Sequence, residues 1–284
     1  MKSKIHESKK QYKIMSKKIL SLIVLISFAS CQDVVEVDLD TSAPRLVIDA
    51  NILWQKGTPG NEQVIKLSTT TDYYSDVIPP VLGATVYVTN SSATVYNFID
   101  VANNGQYVCS NFIPVINETY TLTVQANGIT YQATEKLVAT PTIDSVQQTA
   151  VPGFGSDIIQ VKFFFQDNGL EDNNYLVSVQ KEPQVIPEFG VIEDRFFQGN
   201  QMFWFYSNLE LGTGNMLHFK LEGISRRYYN YMNKLINITN TGGNPFATPP
   251  ATLRGNIINL NDSNDYPFGY FHLSEIDTED YTVQ

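Results

Sequence analysis

The stretch Thr119-Tyr-Thr-Leu-Thr-Val-Gln-Ala-Asn-Gly-Ile-Thr-Tyr-Gln-Ala-Thr134 decides the fold class of this chain. Its first half alternates polar residues with Tyr120, Leu122 and Val124, which would therefore share one face of a strand. Asn127-Gly128 separates this strand from a second one, and Asn-Gly is a pair that favours a two-residue type I′ turn. The stretch therefore predicts an antiparallel β-hairpin with positive φ at both turn residues.

Similar short apolar stretches, separated by turn residues, continue on both sides of the hairpin. Strands are predicted at 46–54, 64–69, 84–89, 94–98, 105–109, 158–165, 175–180, 201–206, 216–222 and 269–274. About seven short strands at this spacing are typical of an immunoglobulin-like β-sandwich, which we place at residues 42–140. Residues 141–284 are predicted to form a second β-rich domain, so the fold class is mainly all-β.

One segment of the second domain has a different period. Between Ser225 and Ile238 the apolar residues recur with helical spacing, which predicts one amphipathic helix. These residues are Tyr228, Tyr231, Met232, Leu235 and Ile236.

The composition is that of a packed globular protein, since 43% of the residues are hydrophobic and 17% are charged. The 16 Tyr and 16 Phe favour strands. Seven of the 19 basic residues lie within residues 1–30, beside one of the 29 acidic residues. The remainder is therefore strongly acidic and would repel phosphate backbones, so nucleic acid is not an expected partner.

The N-terminal segment is typical of a signal peptide. Lys17 and Lys18 precede an apolar run over residues 19–28, which is too short to span a bilayer, and small residues follow. We predict a signal peptide at residues 1–30, with Met15 as an alternative start. The Ala29-Ser30-Cys31 ending resembles a bacterial lipobox, in which the cysteine receives lipid. Cys31 is therefore the predicted lipidation site and membrane anchor, and residues 31–41 an acidic tether. Cys109 is predicted to be a buried, unreactive thiol.

Several motifs are similar to those of Bacteroidota lipoproteins of the family called domain of unknown function DUF4249. They include Leu46-Val-Ile-Asp-Ala-Asn-Ile52, Gly83-Ala-Thr-Val86, Leu221-Glu-Gly-Ile-Ser-Arg-Arg-Tyr-Tyr-Asn-Tyr231 and Gly243-Asn-Pro-Phe-Ala247. The acidic residues after Cys31 look like a surface-export signal of such lipoproteins. The resemblance implies an accessory subunit of a TonB-dependent outer-membrane receptor, because family members are typically encoded beside such receptors. It carries over no catalytic residue.

Three groups of residues suggest a ligand, and each has a structural alternative. The segment 167–173 carries oxygen ligands that Ca²⁺ prefers, but a polar hairpin connection needs the same residues. His218 and His272 lack a second ligand at metal spacing, so core or rim positions are expected instead. In Phe203-Trp-Phe-Tyr206 one face belongs to a core, and the other either is covered or contacts a partner or sugar ring.

The residues predict no catalytic site, no metal site and no cofactor. For partner docking we select Arg226, Arg227 and Tyr229 on the helix, together with the stiff loop 244–250 beside it, because Arg and Tyr are enriched at interface hot spots. The alternative is a helix that plugs an open end of the sandwich. The sequence thus predicts a non-enzymatic, lipid-anchored outer-membrane protein that is exposed at the cell surface. A lipoprotein that binds a glycan or peptide independently is the alternative, and a hydrolase is the least supported.

Overall fold

The computed structural model describes residues 43–72, 75–155, 157–241 and 253–284 of the 284-residue chain. Residues 43–284 form one compact unit. The elements in chain order are β1 Leu46–Gln55, β2 Gln63–Thr69, β3 Thr85–Asn90, β4 Val95–Phe98, β5 Gln106–Cys109, β6 Thr119–Ala126, β7 Ile129–Lys136, β8 Ile143–Val151, β9 Ile158–Gln166, β10 Asn174–Lys181, β11 Glu188–Glu193, β12 Gln201–Ser207, β13 Met216–Gly223, α1 Arg226–Thr241, β14 Ile258–Asn259 and β15 Phe268–Thr282. The predicted all-β class with one helix is confirmed.

The strands form three sheets. The largest has seven strands in the order β11-β10-β13-β15-β1-β2-β5. A five-stranded sheet has the order β14-β7-β6-β3-β4, and a three-stranded sheet has the order β12-β9-β8. The seven-stranded sheet takes strands from both halves of the chain, so it is the common framework of the molecule.

The last strand, β15, joins the two halves. It pairs in parallel with β1, from Val47 opposite Phe268 to Gln55 opposite Ile276, and antiparallel with β13. The sequence predicted a strand only at 269–274, whereas β15 extends to Thr282. Strands from both sides of residue 140 thus belong to one sheet. The domain boundary at residue 140 stays a prediction.

Two hydrophobic cores cover one face of the seven-stranded sheet. The first core lies between β1, β2, β5 and the five-stranded sheet, and it also receives Phe271 and Leu273 of β15. The second core lies between β10, β13 and the three-stranded sheet, with Phe163, Phe165 and Phe219 fully buried. Alternation along each strand places these apolar residues on one side and leaves the other side of the large sheet for α1.

Helix α1 covers the reverse face of that sheet. It begins after Ser225, whose hydroxyl accepts a 3.2 Å hydrogen bond from the backbone N–H of Tyr228 and so caps the helix. Tyr228 and Met232 are buried against Leu176 of β10 and Tyr270 of β15. The helix therefore confirms the predicted period. It packs on a sheet face, so the alternative of a helix that plugs an open end was wrong.

The hairpin that decided the fold class has the predicted turn. Asn127 and Gly128 have φ of 52° and 77°, and β6 and β7 pair in register from Thr119 to Ala126. Cys109 is 1% exposed, as predicted for a buried thiol, and burial raises its pKa. Three strands, β8, β11 and β14, were not predicted, because their sequences are largely polar or very short.

Some predictions lie outside the described residues. They concern the signal peptide, the lipidation site Cys31, the acidic tether and the loop 244–250. Within the described ranges, no helix is long and apolar enough to cross a membrane.

Candidate functional site

The outward face of α1 is basic in a chain that is otherwise acidic. The helix contains Arg226, Arg227 and Lys234 and no acidic residue. Its exposed positions also include Asn230 and Asn233, which are uncharged. We call the surface formed by Arg227, Asn230, Asn233 and Lys234 the basic helix face. Since the whole chain has a net charge of −10, this face is electrostatically distinct from its surroundings.

Arg226 and Tyr229, two of the three predicted docking residues, are held together at the start of the helix. The guanidinium of Arg226 lies 5.0 Å from the ring centroid of Tyr229, donates a 3.1 Å hydrogen bond to Asn174 and forms an ion pair with Glu193. The Arg226 side chain nevertheless stays 51% exposed. The framework therefore orients Arg226 without burying it.

Arg227, the third predicted docking residue, points along the other side of the helix. Its Nη2 atom donates a 3.1 Å hydrogen bond to the carbonyl of Thr134, and its Nε atom donates one of 3.4 Å to the hydroxyl of Tyr270. The Arg227 side chain is 60% exposed. The structure thus places Arg226 and Arg227 on the same helix but directs them to different neighbours.

A concavity of about 450 Å³ lies beside the basic helix face. Arg227 and Lys234 line it from the helix, and Arg254 lines it from the segment before β14. Arg254 donates a 2.8 Å hydrogen bond to the carbonyl of Ser263 and lies 4.4 Å from the ring centroid of Tyr266. Sequence reasoning missed Arg254, because only the fold brings it to the helix.

A buried Glu222–His272 pair lies beneath α1. Glu222 Oε2 on β13 is 3.2 Å from Nε2 of His272 on β15, and Lys220 Nζ approaches the other carboxylate oxygen at 2.7 Å. Burial opposes the ionisation of Glu222, but His272 and Lys220 outweigh it and hold the pKa of Glu222 below its usual range. The ring of Tyr228 stacks on His272 at 4.1 Å between centroids and covers the pair. His272 therefore has a core position, whereas His218 lies at the rim beside Asp280 and Glu182.

A cleft of about 800 Å³ brings Arg226 close to the segment 167–173, whose oxygen ligands had a structural alternative to calcium binding. Asp167 accepts hydrogen bonds from the hydroxyl of Tyr175 at 2.6 Å and from the N–H of Gly199 at 2.8 Å. Asp194 accepts one from the N–H of Asn173 at 2.6 Å. These carboxylates are thus engaged by the chain itself, which favours the structural interpretation of the segment. No group of three or more potential metal ligands occurs in the part of the chain that the structure describes.

The aromatic strand β12 is open on one face. Met202 and Tyr206 are buried in the second core, whereas Phe203 and Phe205 are 49% and 48% exposed. A strand covered on both faces, one of the two alternatives from the sequence, was therefore wrong. The outward rings lie on an edge strand of the three-stranded sheet, where a ligand has access to them.

Comparisons with known proteins give one family match. A family model described as "Domain of unknown function (DUF4249)" matches residues 32–280. No curated protein matches the chain. A solved cytokine receptor complex is 7% identical with a TM-score of 0.26, covering 65% of this chain and 86% of that one. A two-domain fibronectin type III segment from chicken tenascin is 8% identical with a TM-score of 0.21, covering 64% and 91%.

Proposed function

The chain belongs to the DUF4249 family, a domain of unknown function, and from this premise we propose that it is a lipid-anchored, non-enzymatic binding subunit of a TonB-dependent outer-membrane transporter. In this proposal Cys31 carries the lipid, the acidic tether spaces the folded part from the membrane, and the protein is exposed at the cell surface. The basic helix face is the surface that docks on the transporter.

The observation that carries the proposal is the charge pattern of α1. The helix carries no acidic residue, and the basic helix face presents Arg227 and Lys234 in an acidic chain, so this face complements an acidic partner surface. Charge complementarity steers encounter and suppresses wrong partners. The hydrogen bonds of Arg226 and Arg227 hold their side chains in place before binding, which lowers the entropy lost at an interface.

The buried titratable side chains are engaged in contacts within the chain, which supports the non-enzymatic part of the proposal. Asp167 and Asp194 accept hydrogen bonds from their own chain, and Glu222 and His272 lie under Tyr228. These are the most buried of the groups suited to acid–base chemistry, and they serve packing or local structure. A separate role as a glycan- or peptide-binding lipoprotein is the second candidate, and the open aromatic face of β12 is the observation that favours it.

The experiment is co-purification of the receptor with the full, tagged chain from detergent-solubilised outer membranes. The most selective variant is Lys234→Glu with Asn230→Asp, because neither side chain makes an ion pair within the described ranges. We expect receptor recovery to fall roughly tenfold, since like charges at an interface disfavour association. An Ala variant at Arg226, Arg227 and Tyr229 would also lose bonds within the fold, so its result is interpreted together with its melting temperature.

The matched control is Lys162→Glu on β9. This residue lies on the outer side of the three-stranded sheet, across the second core from α1, and its replacement makes the same kind of Lys→Glu change as Lys234→Glu in the helix variant. Recovery equal to that of the unaltered protein is expected for the control. Full recovery with the helix variant would place the interface elsewhere.

A further inference from the structure

A small aromatic pocket lies where the edge strands of two sheets meet. Strand β11 ends the seven-stranded sheet and β12 ends the three-stranded sheet. Between them is a pocket of about 160 Å³, lined by Glu188 and Phe189 of β11 and by Trp204, Phe205 and Tyr206 of β12. Val179 and Ser207 complete the lining, so aromatic residues and one carboxylate border a space suited to a single small group.

Close contact between the two strands fixes the rings. A Cβ atom at Gly190 would lie 2.2 Å from Cζ2 of Trp204, so the indole packs directly on the β11 backbone and position 190 requires glycine. The rings of Trp204 and Phe205 are 6.4 Å apart between centroids and inclined by only 24°. Phe189 stays 40% exposed beside them. The pocket thus has a rigid aromatic wall that is open to solvent.

The carboxylate of Glu188 is the polar group of the pocket that faces solvent. Glu188 is exposed and forms no ion pair with any residue that the structure describes. Tyr206 is only 4% exposed and belongs to the second core, so its hydroxyl is shielded from a ligand. Burial and the nearby charge of Glu188 raise the pKa of Tyr206. Glu188 is therefore the group of this pocket that can meet the charge of a ligand.

We propose that this pocket binds an organic ammonium ion. The faces of aromatic rings carry negative charge density that attracts cations, and a group of such rings is a known solution for quaternary and substituted ammonium groups. Glu188 neutralises the charge of the ligand. The acidic composition of the chain raises the local concentration of cations. A neutral sugar ring would stack on the same side chains but would leave the charge of Glu188 uncompensated.

The test is a titration of the full chain with choline and n-butylammonium, followed by tryptophan fluorescence. The chain has two tryptophans, so a Trp54→Phe background assigns the signal to Trp204. We expect saturable binding that weakens about tenfold in Glu188→Gln, the size of effect that a partly desolvated cation site gives. Glu62→Gln, which removes one exposed carboxylate before β2, is the matched control and should bind as before.

Neutral probes separate this proposal from its competitors. 3,3-Dimethylbutan-1-ol has the shape of choline without the charge, and it should bind at least about tenfold more weakly. Equal binding of the two would mean a merely apolar pocket and would overturn the proposal. It would also be overturned if glucose or N-acetylglucosamine bound and the cations did not. Free tryptophan sets the upper limit of the titration: the proposal fails if neither cation binds at up to 10-fold the concentration at which choline changes the fluorescence of free tryptophan. None of these outcomes depends on the receptor, so the docking proposal is tested separately.

Discussion

Replacing Tyr228 with alanine tests whether α1 is an integral cover of the seven-stranded sheet. The side chain is 6% exposed and lies 4.1 Å from the ring of His272 and 4.8 Å from that of Tyr270, measured between centroids. Removing a large buried aromatic side chain costs about 3–5 kcal/mol, because the apolar transfer energy is lost and a cavity remains. The truncation would also admit water to the Glu222–His272 pair.

The matched variant is Tyr228→Phe, which keeps the ring and its stacking and removes only the hydroxyl. For a compact unit of this size, each kcal/mol corresponds to about 2–4 °C in melting temperature. We therefore expect Tyr228→Ala to melt roughly 6–20 °C lower than the unaltered protein and Tyr228→Phe to stay within about 4 °C.

Thermal unfolding followed by circular dichroism measures both effects, and denaturant titration checks the free energy of unfolding. If Tyr228→Ala melted with the unaltered protein, the helix would not cover the sheet as the contacts indicate. Equal losses in the two variants would assign the stability to the hydroxyl and would refute the argument from ring packing.

Three further predictions concern other parts of the chain. Cys31→Ala should abolish lipidation and release the protein from membranes or leave it unprocessed; finding no acyl group on the mature N-terminus of the unaltered protein by mass spectrometry would end this idea. Gly128→Val should lower the free energy of unfolding by about 1–2 kcal/mol, because φ at this position is 77° and nothing lies within 4 Å to add a clash; an unchanged denaturation midpoint would contradict the strain argument. The pKa of Glu222 is held below its usual range, so its contribution to stability is present above the unfolded pKa and is lost as pH falls through the folded pKa. Between pH 7 and acidic pH, the free energy of unfolding should therefore fall less in Glu222→Gln than in the unaltered protein. Equal falls in the two proteins would count against the buried pair.

The sequence predicted those elements whose local pattern is strong. The Asn127-Gly128 turn and the period of α1 are local signals, and both are present in the structure. The pairing of β1 with β15 joins residues more than 200 positions apart, so no local pattern carries it. Strand β8 was missed because its exposed positions are polar or small and its pattern resembles a loop.

The candidate sites were predictable only in part. Arg226, Arg227 and Tyr229 were selected by residue type on one predicted helix, and the structure directs Arg226 and Arg227 to different neighbours. Arg254 lines the same concavity as Arg227 and Lys234, a proximity that only the tertiary fold creates. Similarly, Glu188 reaches the aromatic pocket because two different sheets place their edge strands side by side, which is a property of the tertiary fold.

The central claim is that this chain docks on an outer-membrane transporter through the basic helix face. Its most direct test is quantitative mass spectrometry of complexes purified on the full, tagged chain from solubilised outer membranes. We expect one TonB-dependent receptor in near-equal amount to the lipoprotein, depleted roughly tenfold by Lys234→Glu with Asn230→Asp and retained by Lys162→Glu. The claim would be contradicted if no such receptor co-purified. It would also be contradicted if the unaltered protein, the helix variant and the control recovered equal amounts of receptor.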